Sequence, residues 1–326
     1  MSTTTNDFCL DTLHLDPAAE TVRIAATIRA QLQHLHRKGV VLGLSGGIDS
    51  SVTAALCVRA VGAERVFGLL MRERDCSGAS LELGRLLADH FGIATAVEDI
   101  SPALEALGCY AKRDAALRSL LPEYGPGWRW KIALPSLFEG AGYRIFSVVA
   151  RDPKGKEHRR RMPLDVYQEI VAATNFKQRV RKMLEYYHAD RLRYAVAGTP
   201  NRLEHDQGFF VKNGDGAADL KPIAHLLKGQ VYQLAEHLGV PEVIRRRPPT
   251  TDTYSLEQTQ EEFFFSLPYP QMDACLYGRD HGVPPAEVAA AVGLTPEQVE
   301  RVYADIDAKR RAAAYLHAPP LRIPAG

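Results

Sequence analysis

The apolar positions of the chain fall into short runs that alternate with longer stretches of helical periodicity. One run, Val-Val-Leu-Gly-Leu at 40–44, is followed by Ser-Gly-Gly at 45–47, which predicts a buried strand that ends in a glycine turn. The pattern then predicts a helix over 49–61, a strand over 66–70, a helix over about 80–91 and a strand over 94–100. This alternation is typical of an α/β fold with a doubly wound parallel sheet flanked by helices.

The first part of the chain, residues 1–37, is interpreted as a leader and one amphipathic helix, and the main domain as 38–326. The helix is predicted because apolar residues recur at helical spacing in this N-terminal part, namely at Val22, Ile24, Ala25, Ile28 and Leu32. Beyond residue 170 the α/β pattern resumes with a helix over roughly 175–189, a strand over 194–198, a helix over about 227–238 and a final helical region.

Residues from about 105 to 170 interrupt this pattern and predict an inserted small subdomain or hairpin. The stretch contains Trp128 and Trp130, a predicted strand over 143–149, a turn at 152–155 and a basic run at 156–161. A stretch of this length is unusual in a compact domain without structure of its own, so we expect it to pack as a unit. It could cap a substrate pocket or extend a subunit interface, and we favour the interface or a structural role.

The composition and charge of the chain argue against several classes of function. The 326 residues include 40 Lys+Arg and 39 Asp+Glu, so the net charge is +1, and neither nucleic acid nor an anionic membrane is an expected partner. Apolar runs stay below the ~18 residues of a membrane span, and the first residues lack the pattern of a secretory signal. The five cysteines form no C-x-x-C pair, so we expect neither disulfides nor thiolate zinc sites, and a cytoplasmic location.

The turn after the first strand carries the most informative residues, Ser-Gly-Gly-Ile-Asp-Ser-Ser at 45–51. Glycines allow close approach to a ligand, helix N-terminal amides favour a phosphate, and Ser45 and Ser50 add hydroxyls. Asp49 is suited to hold Mg²⁺ against a pyrophosphate; the alternative is an ordinary glycine turn in which Asp49 caps the helix. The turn lacks the Lys of the G-x-x-x-x-G-K-[ST] motif. Its S-G-G-x-D-S form resembles the pyrophosphate loop of the ATP pyrophosphatase superfamily.

Further motifs follow in a fixed order. Thr-Pro-Asn-Arg-Leu-Glu at 199–204, which we place in the loop after a strand, is followed by Gly-Phe-Phe-Val-Lys-Asn-Gly-Asp-Gly at 208–216, Asp219, Leu-Lys-Gly at 227–229 and Pro-Thr at 249–250. Asn-Phe-Lys-Gln-Arg-Val-Arg at 175–181 lies upstream, and 258–276, Lys-Arg-Arg at 309–311 and Pro-Pro at 319–320 lie downstream. In this order, over about 38–100 and 172–320, the chain resembles the ammonia-dependent NAD synthetase family of the ATP pyrophosphatase superfamily.

The resemblance implies roles for individual residues. Asp49, Lys228 and Glu204 are implied to be catalytic, and Asp49 and Glu204 to bind Mg²⁺. The implied ATP site consists of Gly43, Leu44, Ser45, Gly46, Gly47, Ile48, Asp49, Ser50, Thr199, Lys228 and Thr250. The residues implied to bind deamido-NAD, the acid substrate of the family, are Arg179, Lys212, Asp219 and Lys309. Carboxylates together with phosphate oxygens suit Mg²⁺, and cations stabilise the charge on a leaving pyrophosphate.

The reaction that the resemblance implies is an ATP-dependent ligation that forms a C–N bond. The carboxylate of deamido-NAD becomes adenylated, pyrophosphate leaves, and ammonia displaces AMP to give NAD. We expect no glutaminase domain in a chain of this length, and Cys9 lies in no suitable context, so ammonia is expected to be free or supplied by a separate glutaminase. The resemblance also implies a homodimer, with the dinucleotide near the subunit interface.

Several positions depart from the family's motifs: Arg202, Val211, Thr251 and Asp252, 263–267, and Ala308. Together with the insertion, these departures leave open a related amide ligase that acts on a different carboxylic acid. Two further alternatives are less consistent with the residues. A sulfur-transferring pyrophosphatase shares the loop but usually needs paired cysteines, and a nucleotide sensor without turnover would not need Asp49, Glu204 and Lys228 together.

Overall fold

The computed structural model describes residues 8–76, 78–134, 137–138, 146–250 and 254–323, with 262 and 263 by their backbone only. The helices of the first half are α1 (Pro17–His34), α2 (Ile48–Val61), α3 (Gly78–Phe91), α4 (Ser101–Ala106), α5 (Cys109–Leu120) and α6 (Leu164–Leu192). Those of the second half are α7 (Arg202–Gln207), α8 (Lys228–His237), α9 (Glu242–Arg245), α10 (Tyr269–His281), α11 (Pro285–Val292) and α12 (Pro296–His317). The strands are β1 (Val40–Gly43), β2 (Val66–Arg72), β3 (Ala94–Asp99), β4 (Arg129–Ala133), β5 (Ser147–Arg151), β6 (Glu157–Arg161) and β7 (Ala195–Val196). Short 3₁₀ turns at Leu10–Leu13 and Ala63–Arg65 and a π-helical turn at Glu261–Phe265 complete these elements.

The central sheet is parallel and has the strand order β3-β2-β1-β7. Its register pairs Val40 with Val66 on one side and with Ala195 on the other. The chain moves outward from β1 to β3 and then returns to the other side of β1, so the direction of winding reverses between β1 and β7. Ligands of such sheets bind in the crevice at the carboxyl ends of the strands where this reversal occurs. The predicted α/β fold with a parallel sheet is confirmed.

Helices cover both faces of this sheet. On one face, α1, α2 and α8 surround the largest apolar cluster, which includes Ile28, Leu56 and Val231. On the other face, α6 contributes Ala189 to a cluster with Val41 of the central strand. Because the central strands are buried on both faces, they consist of consecutive apolar residues rather than alternating ones.

Helix α1 confirms the predicted N-terminal helix except at one position. Asp16 caps it, since its Oδ1 accepts hydrogen bonds from the amides of Ala18 at 2.9 Å and Ala19 at 3.1 Å. The predicted apolar residues from Ile24 to Leu32 are buried, but Val22 is 67% exposed. Two residues correspond to about 200° of helix rotation, so Val22 lies on the side opposite Ile24.

Within the stretch predicted as an insertion, the chain forms a three-stranded antiparallel sheet in the order β4-β5-β6. Its core includes Trp130, Ile132 and Val148. The strand predicted over 143–149 corresponds to β5, and residues 143–145, with Tyr143, lie outside the described residues. The predicted turn at 152–155 joins β5 to the basic strand β6. Strand β4 was missed because the Gly- and Pro-rich residues before it favour a loop.

Helix α6 is longer than predicted: it has 29 residues and begins after Pro163, not near residue 175. Its first part contributes Ile170 to the core of the insertion, and its last part contributes Ala189 to the core beneath the central sheet. The apolar face therefore changes along the helix, which explains why a single periodicity did not reveal its beginning. No helix in the described ranges is both long and apolar enough to cross a membrane.

Candidate active site

The loop after β1 brings backbone amides to the crevice. Gly46 has a φ of +72°, and a Cβ there would lie 2.8 Å from Leu83 Cβ and from the Ser80 carbonyl oxygen, so glycine is required. Gly47 is the N-cap of α2, and its carbonyl accepts a hydrogen bond from the Ser50 hydroxyl at 3.0 Å. No side chain of the described residues caps the first amides of α2. An uncapped helix N-terminus beside a glycine turn favours a phosphate.

Asp49 lies in the first turn of α2, where it accepts hydrogen bonds from two distant residues and does not cap the helix. Its Oδ2 accepts from Lys228 Nζ at 2.5 Å, and its Oδ1 accepts from Asn201 Nδ2 at 3.0 Å. Lys228 begins α8, is fully buried, and places its ammonium 5.1 Å from the ring centre of Tyr269. Burial would lower the pKa of Lys228, but the charges of Asp49 and Glu204 outweigh burial and raise it, so this lysine is cationic.

Glu204 lies in the first turn of α7 and not in a loop as the sequence suggested. Asn201 caps this helix, and the two residues form a capping box in which Glu204 Oε2 accepts from the Asn201 amide at 3.1 Å. Glu204 Oε1 accepts from Gln260 Nε2 at 3.0 Å. The buried carboxylate therefore stabilises a helix terminus as well as lying next to Asp49.

The carboxylates of Asp49 and Glu204 share one lysine. Burial and then the charge of Asp49 raise the pKa of Glu204 to about 8, while Lys228 opposes this shift. When Glu204 is ionised, two carboxylates and one ammonium leave one negative charge uncompensated. The described residues contain no group of three or more His, Cys, Asp or Glu side chains that could hold a metal by itself. A cation here would also need oxygen atoms from a bound phosphate, which is how Mg²⁺ is commonly held.

A cavity of about 860 Å³ opens at the carboxyl ends of the strands, a volume typical of a ligand pocket. The predicted site residues that line it are Gly43, Leu44, Ser45, Gly47, Ile48, Asp49, Ser50, Thr199, Glu204, Thr250 and Lys309. Two predicted ATP residues lie outside the wall: Gly46 faces α3, and Lys228 is buried behind Asp49. The glycine loop, the end of β7 and Thr250 thus meet in one space.

Three of the four residues predicted to bind the acid substrate lie away from this wall. Arg179 is exposed on α6, and its Nε donates to the Lys212 carbonyl at 3.3 Å. Lys212 Nζ donates to the Tyr315 carbonyl at 2.8 Å. Asp219 is exposed, and its Oδ2 accepts from the Val196 amide at 2.8 Å. A single chain does not bring these three side chains into the cavity, and their roles stay predictions.

Other cavity residues were missed by sequence reasoning. Lys182 and Glu185 of α6 form a buried ion pair with a distance of 2.6 Å, and both line the cavity. Burial raises the pKa of Glu185, and the charge of Lys182 opposes that shift. A Cβ at Gly43 would lie 3.3 Å from Glu185 Oε1, so these residues are close neighbours. The available signal was the continuation of the helix beyond residue 181, because positions 178, 181, 182 and 185 share one helical face.

Some departures from the family's motifs have a structural explanation. Arg202 forms an ion pair with Asp280 of α10. Phe264 stacks on Phe209 with 4.7 Å between ring centres, and Lys309 Nζ donates to the Phe264 carbonyl at 2.7 Å. Nothing in the structure explains Ala308 on α12, and Val211 lines the cavity. Thr251 and Asp252 lie outside the described residues.

The sequence of this chain is similar to those of known proteins over most of its length. The sequence model of the NAD synthase family matches residues 20–119 and 155–312. The NH(3)-dependent NAD(+) synthetase of Rhizobium meliloti (strain 1021) is 64% identical over 313 residues, which cover 96% of this chain and 94% of that protein. The protein of the same name from Thermotoga maritima is 33% identical over 249 residues, which cover 76% of this chain and 83% of that protein.

Two solved structures share the fold. The NMN synthetase from Francisella tularensis superposes with a TM-score of 0.66 at 22% identity, over 95% of this chain and 99% of that one. The NH3-dependent NAD synthetase from Campylobacter jejuni, in complex with the nitrate ion, has a TM-score of 0.62 at 22% identity, over 95% of this chain and 100% of that one. At this identity the likeness concerns the fold alone. The family match over most of the chain and the close relative at 64% identity carry the assignment: this chain belongs to the NAD synthase family.

Proposed function

We propose that this chain is a ligase that uses ATP and ammonia to convert deamido-NAD to NAD. The family match and the names of the relatives support this activity. The observation that carries it is the contact of buried Lys228 with Asp49 beside the glycine loop, because Asp49 lines the same cavity as Thr199 and Thr250. A cation, a carboxylate and a helix N-terminus at one point suit the cleavage of ATP.

The proposed reaction has two steps. In the first, a carboxylate oxygen of the nicotinate group attacks the α-phosphorus of ATP, the bond from that phosphorus to the bridging oxygen breaks, and pyrophosphate leaves. In the second, the lone pair of ammonia attacks the acyl carbon of the adenylate, the bond to the AMP oxygen breaks, and nitrogen loses one proton. The products of this second step are NAD, which carries the new amide, and AMP.

In this proposal the chain acts chiefly through position and charge. The amides at the start of α2, together with the Ser45 and Ser50 hydroxyls, hold the phosphates of ATP. The ammonium of Lys228, buried behind Asp49, orients that carboxylate and supplies positive charge close to the place where negative charge grows on the leaving pyrophosphate. Thr199 and Thr250 contribute hydroxyls from two other parts of the cavity wall.

We also propose that Asp49 and Glu204 hold Mg²⁺ together with the phosphates. When Glu204 is ionised, the two carboxylates exceed the single ammonium by one negative charge, and their oxygens keep lone pairs beyond the hydrogen bonds that they accept. Carboxylate and phosphate oxygens are the ligands that Mg²⁺ prefers. When bound, the ion would neutralise charge on the pyrophosphate.

The variant Glu204→Gln tests this metal assignment. It removes the charge but keeps an oxygen that can accept in the capping box. We expect the Mg²⁺ concentration for half-maximal turnover to rise several-fold, while the KM for the acid changes less, and calorimetry to show weaker Mg²⁺-dependent binding of ATP. An unchanged magnesium titration would remove Glu204 from the metal site, and exposed Glu236→Gln is the matched control.

The acid substrate and the nitrogen donor are tested in one assay. The purified chain is given ATP, ammonium and a panel of acids that includes deamido-NAD and nicotinic acid mononucleotide, and AMP and amide are measured. We expect deamido-NAD to have the highest kcat/KM and glutamine to give no amide in place of ammonium. A better acid would overturn the choice of deamido-NAD, and glutamine-dependent turnover would overturn ammonia as the direct donor. In the cell the ammonia would be free or come from a separate glutaminase.

We propose further that Arg179, Lys212, Asp219 and Lys309 bind deamido-NAD and that the chain is a homodimer. The exposed positions of Arg179 and Asp219 suit a dinucleotide that extends beyond the cavity of one chain toward a partner. Arg179→Ala should raise the KM for deamido-NAD with little effect on that for ATP. Sedimentation of the chain as a monomer at micromolar concentration would contradict the dimer.

The division of the chain is also a proposal: an N-terminal part over 1–37, an ATP pyrophosphatase-like domain over 38–326 and an insertion at about 105–170. The residues 120–154 that the family model leaves unmatched fall inside the proposed insertion. We propose a cytoplasmic location, because the five cysteines are far apart in the sequence and form no C-x-x-C pair. Fractionation of cells that produce the chain would test this location.

A further inference from the structure

The insertion forms part of the cavity wall. Leu134, Phe146 and Tyr167 line the cavity, and the rings of Phe146 and Tyr167 stack with 4.3 Å between their centres. The same unit lies against residues 254–258, which connect the part of the chain near Thr250 with the π-helical turn that contains Phe264. The insertion is therefore in contact with the candidate active site at two places.

Residues 254–258 lie along the edge of β4 that β5 does not cover. The Leu256 amide donates to the Trp130 carbonyl at 3.0 Å, and the Trp130 amide donates to Ser255 Oγ at 2.9 Å. Gln258 Nε2 donates to the Ile132 carbonyl at 2.6 Å. Trp130 and Ile132 are two residues apart, so their backbone groups point to the same edge of the strand. β4 thus holds these residues much as it would hold another strand.

Tyr254 anchors the start of the same residues in the core of the insertion. Its side chain is buried, and its ring lies 4.9 Å from that of Trp130 at an interplanar angle of 66°. Ile132 and Val148 belong to the same apolar cluster. The contact with β4 therefore combines hydrogen bonds with buried apolar surface.

Two residues beyond Gln258, the chain reaches the candidate active site. Gln260 Nε2 donates to Glu204 Oε1 at 3.0 Å, and Gln260 Oε1 accepts from the Tyr269 hydroxyl. The Gln260 amide donates to the Pro249 carbonyl at 3.2 Å, next to Thr250. The position of Glu204 Oε1 thus depends on Gln260, and the position of Gln260 depends on the residues that β4 holds.

We propose that the insertion is a positioning element of the synthetase: β4 holds residues 254–258 so that Gln260, two residues further along, orients the Glu204 carboxylate in the cavity. Ser255 and Gln258 are positioning residues, because they act through Gln260 and do not line the cavity. This role rests on the proposed function. It differs from the subunit-interface role that the sequence favoured, and it needs no partner chain.

The double variant Ser255→Ala with Gln258→Met tests the proposal by removing two side-chain hydrogen bonds to β4. In the ligand-free protein we expect amide hydrogen exchange in 254–260 to become about tenfold faster, because opening of this region becomes easier. Because Glu204 is displaced, we expect kcat at saturating Mg²⁺ and ATP to fall about tenfold and the Mg²⁺ concentration for half-maximal turnover to rise, with the KM for deamido-NAD within twofold. Ser255→Thr keeps the hydroxyl and should behave as wild type.

Asp152→Ala is the matched control within the insertion. It removes hydrogen bonds to the Lys154 and Lys156 amides, both 2.9 Å, and the contact with His158 Nε2 at 3.0 Å, all of which lie within the turn and β6 and involve no residue of 254–260. Exchange in 254–260 and kcat should both stay unchanged in this variant. If the double variant does not fold, Ser255→Ala alone carries the test, with the same direction and a smaller effect.

Unchanged exchange in 254–260, or faster exchange with unchanged kcat, would overturn the positioning role. A large rise in the KM for deamido-NAD at constant kcat would also overturn it, because the insertion would then be part of the acid site. Exchange is measured without ligand, so it separates this proposal from the proposed function. A wild-type chain that makes no NAD but protects 254–260 in the expected way would contradict only the function.

Discussion

Two lysines of this chain are buried between pairs of carboxylates, and their surroundings differ. Lys177 of α6 is 1% exposed, and its ammonium lies 2.9 Å from Glu73 Oε1 and 2.7 Å from Asp75 Oδ2. Lys228 of α8 is fully buried, with its ammonium 2.5 Å from Asp49 Oδ2 and Glu204 nearby. Burial and type of partner are thus the same in both clusters.

The cluster of Lys177 is satisfied from within the protein. Arg113 Nη1 lies 2.5 Å from Asp75 Oδ2, and the Tyr110 hydroxyl donates to Glu73 Oε2 at 2.8 Å. Burial alone would raise the pKa of Asp75, but the cations Lys177 and Arg113 hold it below its usual value. Here two cations face two carboxylates, and the cluster ties the chain after β2 to α5 and α6.

The cluster of Lys228 has one cation for two carboxylates. Its Asp49 lines the cavity, and burial together with the charge of Asp49 raises the pKa of Glu204 to about 8. Removing groups from either cluster should therefore have different consequences. A buried lysine by itself therefore does not mark an active site. An unbalanced charge at a cavity wall is the stronger indication.

The largest effect is expected from Lys177→Met. This change leaves Glu73 and Asp75 buried with a cation missing, and breaking a buried ion pair typically costs about 3–5 kcal/mol of stability. Urea unfolding should show this loss, whereas Lys154→Met, in an exposed turn, should stay within about 0.5 kcal/mol of wild type. A loss below about 1 kcal/mol for Lys177→Met would contradict the structural assignment of this cluster.

Asp49→Asn should instead abolish most turnover while the protein stays folded. It removes a charge from the proposed pyrophosphate site, and the loss of such a group typically costs about 3–4 kcal/mol in transition-state stabilisation, or roughly 10²–10³-fold in kcat. Steady-state assays and circular dichroism measure the two properties. Asp75→Asn is the matched control and should change stability more than turnover. Asp49→Asn activity within a few-fold of wild type would exclude Asp49 from the site.

The pH dependence of stability offers a third way to separate the clusters. Asp273 accepts hydrogen bonds from the amides of Lys228 at 3.1 Å and Gly229 at 2.7 Å, and burial raises its pKa to about 6. Since the folded chain then binds a proton more tightly than the unfolded one, this group should lower stability as pH rises from about 4 to about 6, by about 3 kcal/mol.

Asp273→Asn should make the slope of stability against pH smaller in urea unfolding measured between about pH 4 and 6, while Glu204, whose pKa is also raised, keeps its own contribution. Asp75 should contribute a slope of stability against pH that has the opposite sign, and it should do so at lower pH. Its pKa is lowered in the fold, so its stabilisation is present above the unfolded value and is lost as pH falls below it. If the Asp273→Asn protein kept the wild-type slope of stability against pH, a group other than Asp273 would be responsible for that slope.

The smallest effect is expected from changing Arg159, Arg160 and Arg161 of β6 to Ser together. These residues are exposed, and β6 lies on the opposite side of β5 from β4, which holds residues 254–258. The KM for deamido-NAD should stay within a few-fold of wild type. A large rise in that constant, with the ATP constant and the oligomeric state unchanged, would place these arginines in the substrate site.

The parallel sheet, the helices beside it and the loop at 45–50 could all be predicted from the sequence. Each of these features depends on residues a few positions apart: an apolar run, a glycine turn, and helical spacing after it. The positions of Lys228 and Glu204 in the site were available only through the order of motifs, since neither residue has a local pattern of its own. The beginning of α6 was not predicted, because the face of the helix that is buried differs between the core of the insertion and the core beneath the central sheet.

How these parts contact one another became visible only in the folded chain. Gln258 and Ile132 are 126 positions apart, and Gln260 and Glu204 are 56 apart, yet each pair is joined by a hydrogen bond. Neither contact leaves a trace in local periodicity, because it depends on how the insertion packs against a distant part of the chain. The same reason explains why Lys182 and Glu185 looked like ordinary helix residues until the fold placed them in the cavity wall.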